Sequence, residues 1–243
     1  EPTVKLTVLD ANGDFVRELE GPGRAGVQTA SWDFRIADAY TPAAGGGGGG
    51  GRRGGRGGGG RRGPEVLPGT YTVRLEAGGR TVETTIEIVL DPRLQVSMDV
   101  LQARQDAMMD AYHLAKPVYE AQQALTAINA QLSDVRGLLG DDAPEALTSE
   151  LGNVTADVRQ IQQLMQDAGA GAGAGNAMQS FVGEPTADQL WQINQSWRML
   201  PGVIEQINAV ITDQIPGLIG MVYQPGVGPN PLETVEVPTR PAR

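Results

Sequence analysis

The chain has 243 residues, no cysteine and a single histidine, which excludes disulfides, thiolate metal sites and multi-histidine metal centres within one copy. Its net charge of -10 is uneven: residues 1–92 hold 11 Lys/Arg against 12 Asp/Glu, and residues 93–243 hold 8 against 17. The second part is therefore the acidic one, which argues against nucleic acid as its partner.

At this length there is room for one large or two modest domains with a real core. No apolar run reaches the roughly 18–20 residues that span a bilayer. The chain begins at Glu1-Pro2 without a methionine or a leader, which reads as a mature or trimmed segment of a longer product.

Val4, Leu6 and Val8 alternate with polar residues, the pattern of a strand with one buried face. A turn at 10–14 leads to a second strand over 15–19. A glycine- and proline-rich turn at 21–26 leads to a third over 27–34, with Ala30, Trp32 and Phe34 on one face. Tyr71, Val73 and Leu75 alternate up to Gly78-Gly79, and Val82, Thr84, Ile86, Ile88 and Leu90 alternate back, a hairpin whose glycines supply the positive φ of a two-residue loop. About five short strands predict a small antiparallel β-sandwich over 1–92. Trp32 is its expected core anchor.

Asp10, Asn12 and Asp14 match the first three ligand positions of a calcium loop, but the glycine comes one residue after Asn12 and no bidentate glutamate falls at the twelfth place. Asn-Gly between alternating segments reads as a hairpin turn. Residues 45–63 consist of 14 glycines and five arginines, Arg52, Arg53, Arg56, Arg61 and Arg62. No aromatic interleaves them, so the stacking component of RNA-binding Arg/Gly segments is missing. A flexible insertion between strands is the plainer reading, and a strip for an acidic partner surface the sharper one.

Beyond Asp91-Pro92 the period changes to that of a helix. Ser97 caps a first helix favoured by Asp99 at its positive end. Leu114, Val118, Ala121, Leu125, Ile128, Leu132, Val135 and Leu139 follow a 4-3 stride along it. A second helix carries Leu147, Leu151, Val154, Val158, Ile161, Met165 and Ala168. A third starts at Thr186 and carries Leu190, Ile193, Trp197, Leu200, Ile204, Ile207 and Ile211. The alternating Gly-Ala run at 169–175 is expected as a flexible loop between the second and third. Three seams joined by loops predict an antiparallel three-helix bundle over 93–223, so the fold class is segregated α+β. Pro117, Pro201 and Pro216 should bend their helices. Residues 97–113 are expected to extend beyond the bundle, or to pack on the β module or on 216–223. The proline-rich tail, 224–243, is expected to be extended and loosely held, with 234–237 able to add a strand to a sheet edge.

No catalytic constellation emerges. His113 stands alone on a helix, there is no Gly-x-Ser-x-Gly elbow, and no phosphate or dinucleotide loop is present. Neither catalytic, cofactor nor metal residues are assigned. Candidate partner contacts are Tyr112 and Trp191, which lie off their helices' seams, and the apolar end carrying Leu218, Met221 and Tyr223. To these are added Arg52, Arg53, Arg56, Arg61 and Arg62.

Two stretches, VKLTVLDANGDFVRELEGPGRAGVQTASWDFR and PGTYTVRLEAGGRTVETTIEIVLDPR, with a variable insertion between them, resemble the FlgD-like immunoglobulin module. The likeness is to the form at the C-terminal end of bacterial secreted propeller proteins with sortilin-like or BNR repeats, often labelled glycosyl hydrolases. Trp32-Asp33-Phe34-Arg35, the Pro-Gly-Thr-Tyr strand at 68–71 and the Asp-Pro-Arg exit at 91–93 carry it, over about the first 95 residues. The resemblance implies a periplasmic or extracellular location and imports no activity, because the propeller is not in this chain. The expected role is a non-enzymatic structural or interaction subunit of a larger assembly, such as a photosynthetic or transport complex to which it is peripheral. The alternative is an accessory module of a secreted glycoside hydrolase, positioning enzyme or glycan.

Overall fold

The computed structural model describes residues 4–40, 62–139, 143–223 and 228–242. Four strands, β1 (Val4–Leu9), β2 (Phe15–Gly21), β3 (Gly69–Ala77) and β4 (Arg80–Ile88), are followed by α1 (Met98–Leu138), α2 (Glu145–Met178), α3 (Ala187–Ala209) and the short α4 (Ile215–Val222). The fold is mixed α+β. It divides into two compact units, one spanning 1–112 and 175–186, the other 113–174 and 187–243.

In the first unit the strands form one antiparallel sheet in the order β2-β1-β3-β4. The period-two pattern sets its register. Leu6 sits opposite Leu19 on one side and Leu75 on the other, and one face of the sheet is thereby apolar. The register shifts between Val8 and Leu9, leaving Val16 as an extra residue, a β-bulge.

Both turns obey local chemistry. Asp10 Oδ1 accepts from the backbone N–H groups of Asn12 and Asp14 at 2.9 Å each, while Gly13 takes φ 86°. The aspartate is thus the hinge of an Asx turn, as the hairpin reading expects. Gly78 and Gly79 both take positive φ, 54° and 74°, as a type I′ hairpin requires.

The expected third strand does not form. Residues 27–34 pair with no strand, Val27 is fully exposed and Ala30 is exposed. Phe34 has φ 55°, a left-handed conformation that breaks the alternation and leaves its ring 51% exposed. Only a single bridge, Arg35 to Glu65, remains. Irregular chain nevertheless packs on the sheet: Trp32, Ile36 and Val66 lie against the core of Val8, Val16 and Tyr71. The Trp32 indole meets the Tyr71 ring edge-on at 5.6 Å and donates to the Arg35 carbonyl at 2.8 Å. The Tyr71 hydroxyl donates to the Leu67 carbonyl at 2.7 Å.

The starts of α1 and α3 fall within a residue of where the sequence predicts them. The Ser97 hydroxyl accepts from the Val100 N–H, and Asp99 and Arg136 complement the two ends of α1. Pro117 lies inside α1 and Pro201 inside α3. The α1 seam from Leu114 to Val135 is buried, whereas Leu139 lies just past the helix end and is half-buried. All seven seam residues of α2 are buried. So are those of α3 except Leu190, which is exposed because it precedes the packed part of the helix. Five π-helical residues, Val210–Gln214, join α3 to α4. They precede Pro216, which has no N–H to offer the carbonyl four residues back.

The Gly-Ala run is not a loop; it is the last third of α2. In the second unit a Cβ on Gly171 would lie 2.6 Å from Ser196 Oγ and 2.8 Å from the Ile193 Cα. In the first unit a Cβ on Gly175 would lie 2.9 Å from that of Ala111. Glycine there permits close helix approach, and tertiary packing outweighs its poor helix propensity.

Candidate functional site

The first unit holds a half-buried polar cluster. Arg35 pairs with Glu65 at 2.6 Å, donates to the Gly63 carbonyl at 3.3 Å and to the Gln179 side chain. Arg104, on α1, is 6% exposed and donates to the Met178 carbonyl at the end of α2 at 3.0 Å. Burial pulls the Arg104 guanidinium below its ordinary value, with Glu65 opposing and Arg35 adding to the fall. This cluster ties α1, the end of α2 and the chain covering the sheet together, so residues 98–112 pack with the β module. Charge-assisted bonds to carbonyls at a helix end make it a fastening.

Tyr112 belongs to the same unit. It is half-buried, and its phenol is pushed up by burial, then by the charge of Asp38. Its placement off the α1 seam reflects packing within this unit. A second feature here is an open, mostly apolar groove of about 430 Å³ at one end of the sheet, lined by Val4, Leu6, Gly21, Arg24, Thr29 and Leu75. No aromatic residue lines it.

In the second unit Trp191, near the start of α3, is 62% exposed beside the exposed Leu190. Met221 on α4 is 48% exposed and Tyr223, just past α4, is half-buried. Leu218 is the correction. Expected on an exposed apolar end, it is 1% exposed, because α4 turns Ile215 and Leu218 inward together and leaves Met221 outside. Of the five arginines, Arg62 is exposed, while Arg52, Arg53, Arg56 and Arg61 lie outside the described residues.

Sequence reasoning missed the tail. Residues 228–242 have no regular secondary structure, and 234–237 form no strand, yet the tail is anchored. The Asn208 side chain on α3 accepts from the Val235 N–H and donates to the Val235 carbonyl, both at 2.8 Å. Gln131 on α1 donates to the Asn230 carbonyl at 3.0 Å, and Arg240 donates to Asn194 on α3 at 2.9 Å. Val235 is 8% exposed. Asparagine at 208 is a half-buried polar residue beside a helical seam, and its amide is satisfied by the backbone of Val235.

His113 is exposed on α1. Among the described residues no group of three or more His, Cys, Asp or Glu could hold a metal ion, and no helix is long and apolar enough to cross a membrane. Comparison with family models, with curated proteins and with solved structures finds no match.

Proposed function

We propose that the chain is a non-enzymatic structural or interaction subunit, acting on the periplasmic or extracellular side of a bacterial membrane and stabilising a larger protein assembly. The observation that carries this reading is Trp191. A tryptophan 62% exposed, with Leu190 exposed beside it, presents the residue type most enriched among binding hot spots. Met221 is a further exposed apolar side chain in the same unit.

The architecture we propose behind it is an immunoglobulin-like module followed by a three-helix bundle. The Tyr71 hydroxyl bond to a carbonyl four residues upstream, with Trp32 packed on its ring, supports the first as a tyrosine-corner arrangement. The buried 4-3 seams of α1, α2 and α3 support the second. The location rests on the sequence resemblance.

The test is co-purification of the tagged chain from native membranes and from culture supernatant, with wild type and Trp191→Ala compared. Stoichiometric retention of a membrane assembly, lost in the variant, supports the reading. Glycoside hydrolysis by the purified chain would overturn it. Retention on a glycan column without any protein assembly would favour the accessory-module alternative.

A further inference from the structure

The C-terminal segment is gripped in the manner of a bound peptide. Among residues 228–242 only Val235 is buried; Glu233, Thr234, Glu236 and Val237 around it are exposed. Its backbone N–H and carbonyl are both taken by one side-chain amide, that of Asn208. An amide carries one acceptor and two donors, so it can offer an extended residue the two bonds a neighbouring strand would. Recognition then divides as it does for strand-adding peptides, with main-chain bonds gripping any sequence and one pocket selecting a side chain.

The outer anchors fit an extended ligand. Asn208 and Asn194 stand about 21 Å apart along α3 at 1.5 Å per residue. From Val235 to Arg240 an extended chain covers about 17 Å, and the arginine side chain makes up the difference. The segment therefore runs antiparallel to α3. Pro229, Pro231, Pro238 and Pro241 hold it extended and lower the entropy lost on docking, while none falls at 235, where the N–H is needed.

We propose that this face of the second unit is a peptide-recognition groove whose resident ligand is the chain's own segment 228–242. That segment is displaceable in trans by an extended peptide with a β-branched apolar residue at the clamped position. The groove is occupied in the isolated molecule, and a competing segment gains access only by exchange. The cis segment is favoured by its high effective concentration.

The experiment uses the full chain. In wild type the Val235 amide should exchange with deuterium at least tenfold more slowly than those of its exposed neighbours. Asn208→Ala should remove that protection while α1, α2 and α3 keep theirs. Val235→Asp should vacate the groove, so that a fluorescent peptide of residues 228–242 binds this variant saturably. Binding should be at least tenfold weaker to wild type and absent in the Asn208→Ala/Val235→Asp double variant. An unprotected Val235 amide in wild type overturns the proposal. So does a folded Val235→Asp chain that fails to bind the peptide, or one that binds it no better than wild type does. Should Val235→Asp fail to fold, the wild-type chain decides the matter: excess peptide of residues 228–242 should speed exchange of the chain's own Val235 amide, and an unchanged rate at the highest peptide concentration overturns the proposal.

Discussion

Two tyrosines show how single residues tie this fold to pH. The phenols of Tyr71 and Tyr112 are both raised from their ordinary 10.0, first by burial and then by a nearby carboxylate, Asp10 for Tyr71 and Asp38 for Tyr112. A raised value in the folded state means the unfolded chain loses these protons first. Stability is then intact below pH 10 and declines as pH rises from there through the folded-state values. Urea denaturation between pH 8 and 11 should show this decline, and Tyr71→Phe and Tyr112→Phe should each flatten part of it. A decline undiminished in the double variant would place its origin elsewhere. At neutral pH Tyr71→Phe should cost about 1 kcal/mol, since it deletes the bond to the Leu67 carbonyl and keeps the ring against Trp32. Phe34 marks the limit of reading at this scale. Nothing in the letters SWDFR announces a left-handed phenylalanine, the conformation in which the unpaired segment 27–34 ends.

At the scale of elements the Gly-Ala segment of α2 makes a sharp pair of predictions. Gly171 faces Ser196 and Ile193 so closely that a methyl group would lie within 2.8 Å of the Ile193 backbone. Gly171→Ala should therefore destabilise by about 1–3 kcal/mol through overpacking, more than the roughly 1 kcal/mol that alanine gains as the better helix former. Gly173 has nothing within 4 Å of the same position, so Gly173→Ala should stabilise by up to about 1 kcal/mol. Thermal melts of the two variants should move in opposite directions; a shift of both in the same sense would refute the packing argument. The seams of α1 and α2 were legible because period is a property of sequence, and the residues on them are buried almost without exception. The Gly-Ala run was not legible: its helicity depends on Ser196 and Ala111, partners that local composition does not reveal. For the same reason the β3–β4 hairpin could be read from its own glycines. The layer packed on the sheet, built around Trp32, Ile36 and Val66, could not.

For the molecule as a whole, the question is which apolar surface serves the fold and which is left for a partner, and α3 holds a tryptophan of each kind. Trp197 is 8% exposed within the seam, whereas Trp191, six residues earlier, is 62% exposed. The stride separates the two in sequence, since Trp191 falls off the seam that contains Trp197. It could not separate Leu218 from Met221, because α4 follows a π-helical turn that resets which side chains face inward. Trp197→Ala should lower stability by about 3–5 kcal/mol, the usual result of emptying a core site of that size. Any loss of partner binding in that variant would follow from unfolding. Trp191→Ala removes a side chain already largely in water and should change stability by less than about 0.5 kcal/mol. If Trp191 is the anchor of an interface, the same change should cost at least about 2 kcal/mol of binding, some thirtyfold in affinity, as hot-spot tryptophans do. Measuring chemical denaturation and co-purification on both variants separates fold from function. A Trp191→Ala chain that stays folded and still co-purifies with its assembly would move the interface away from this end of α3.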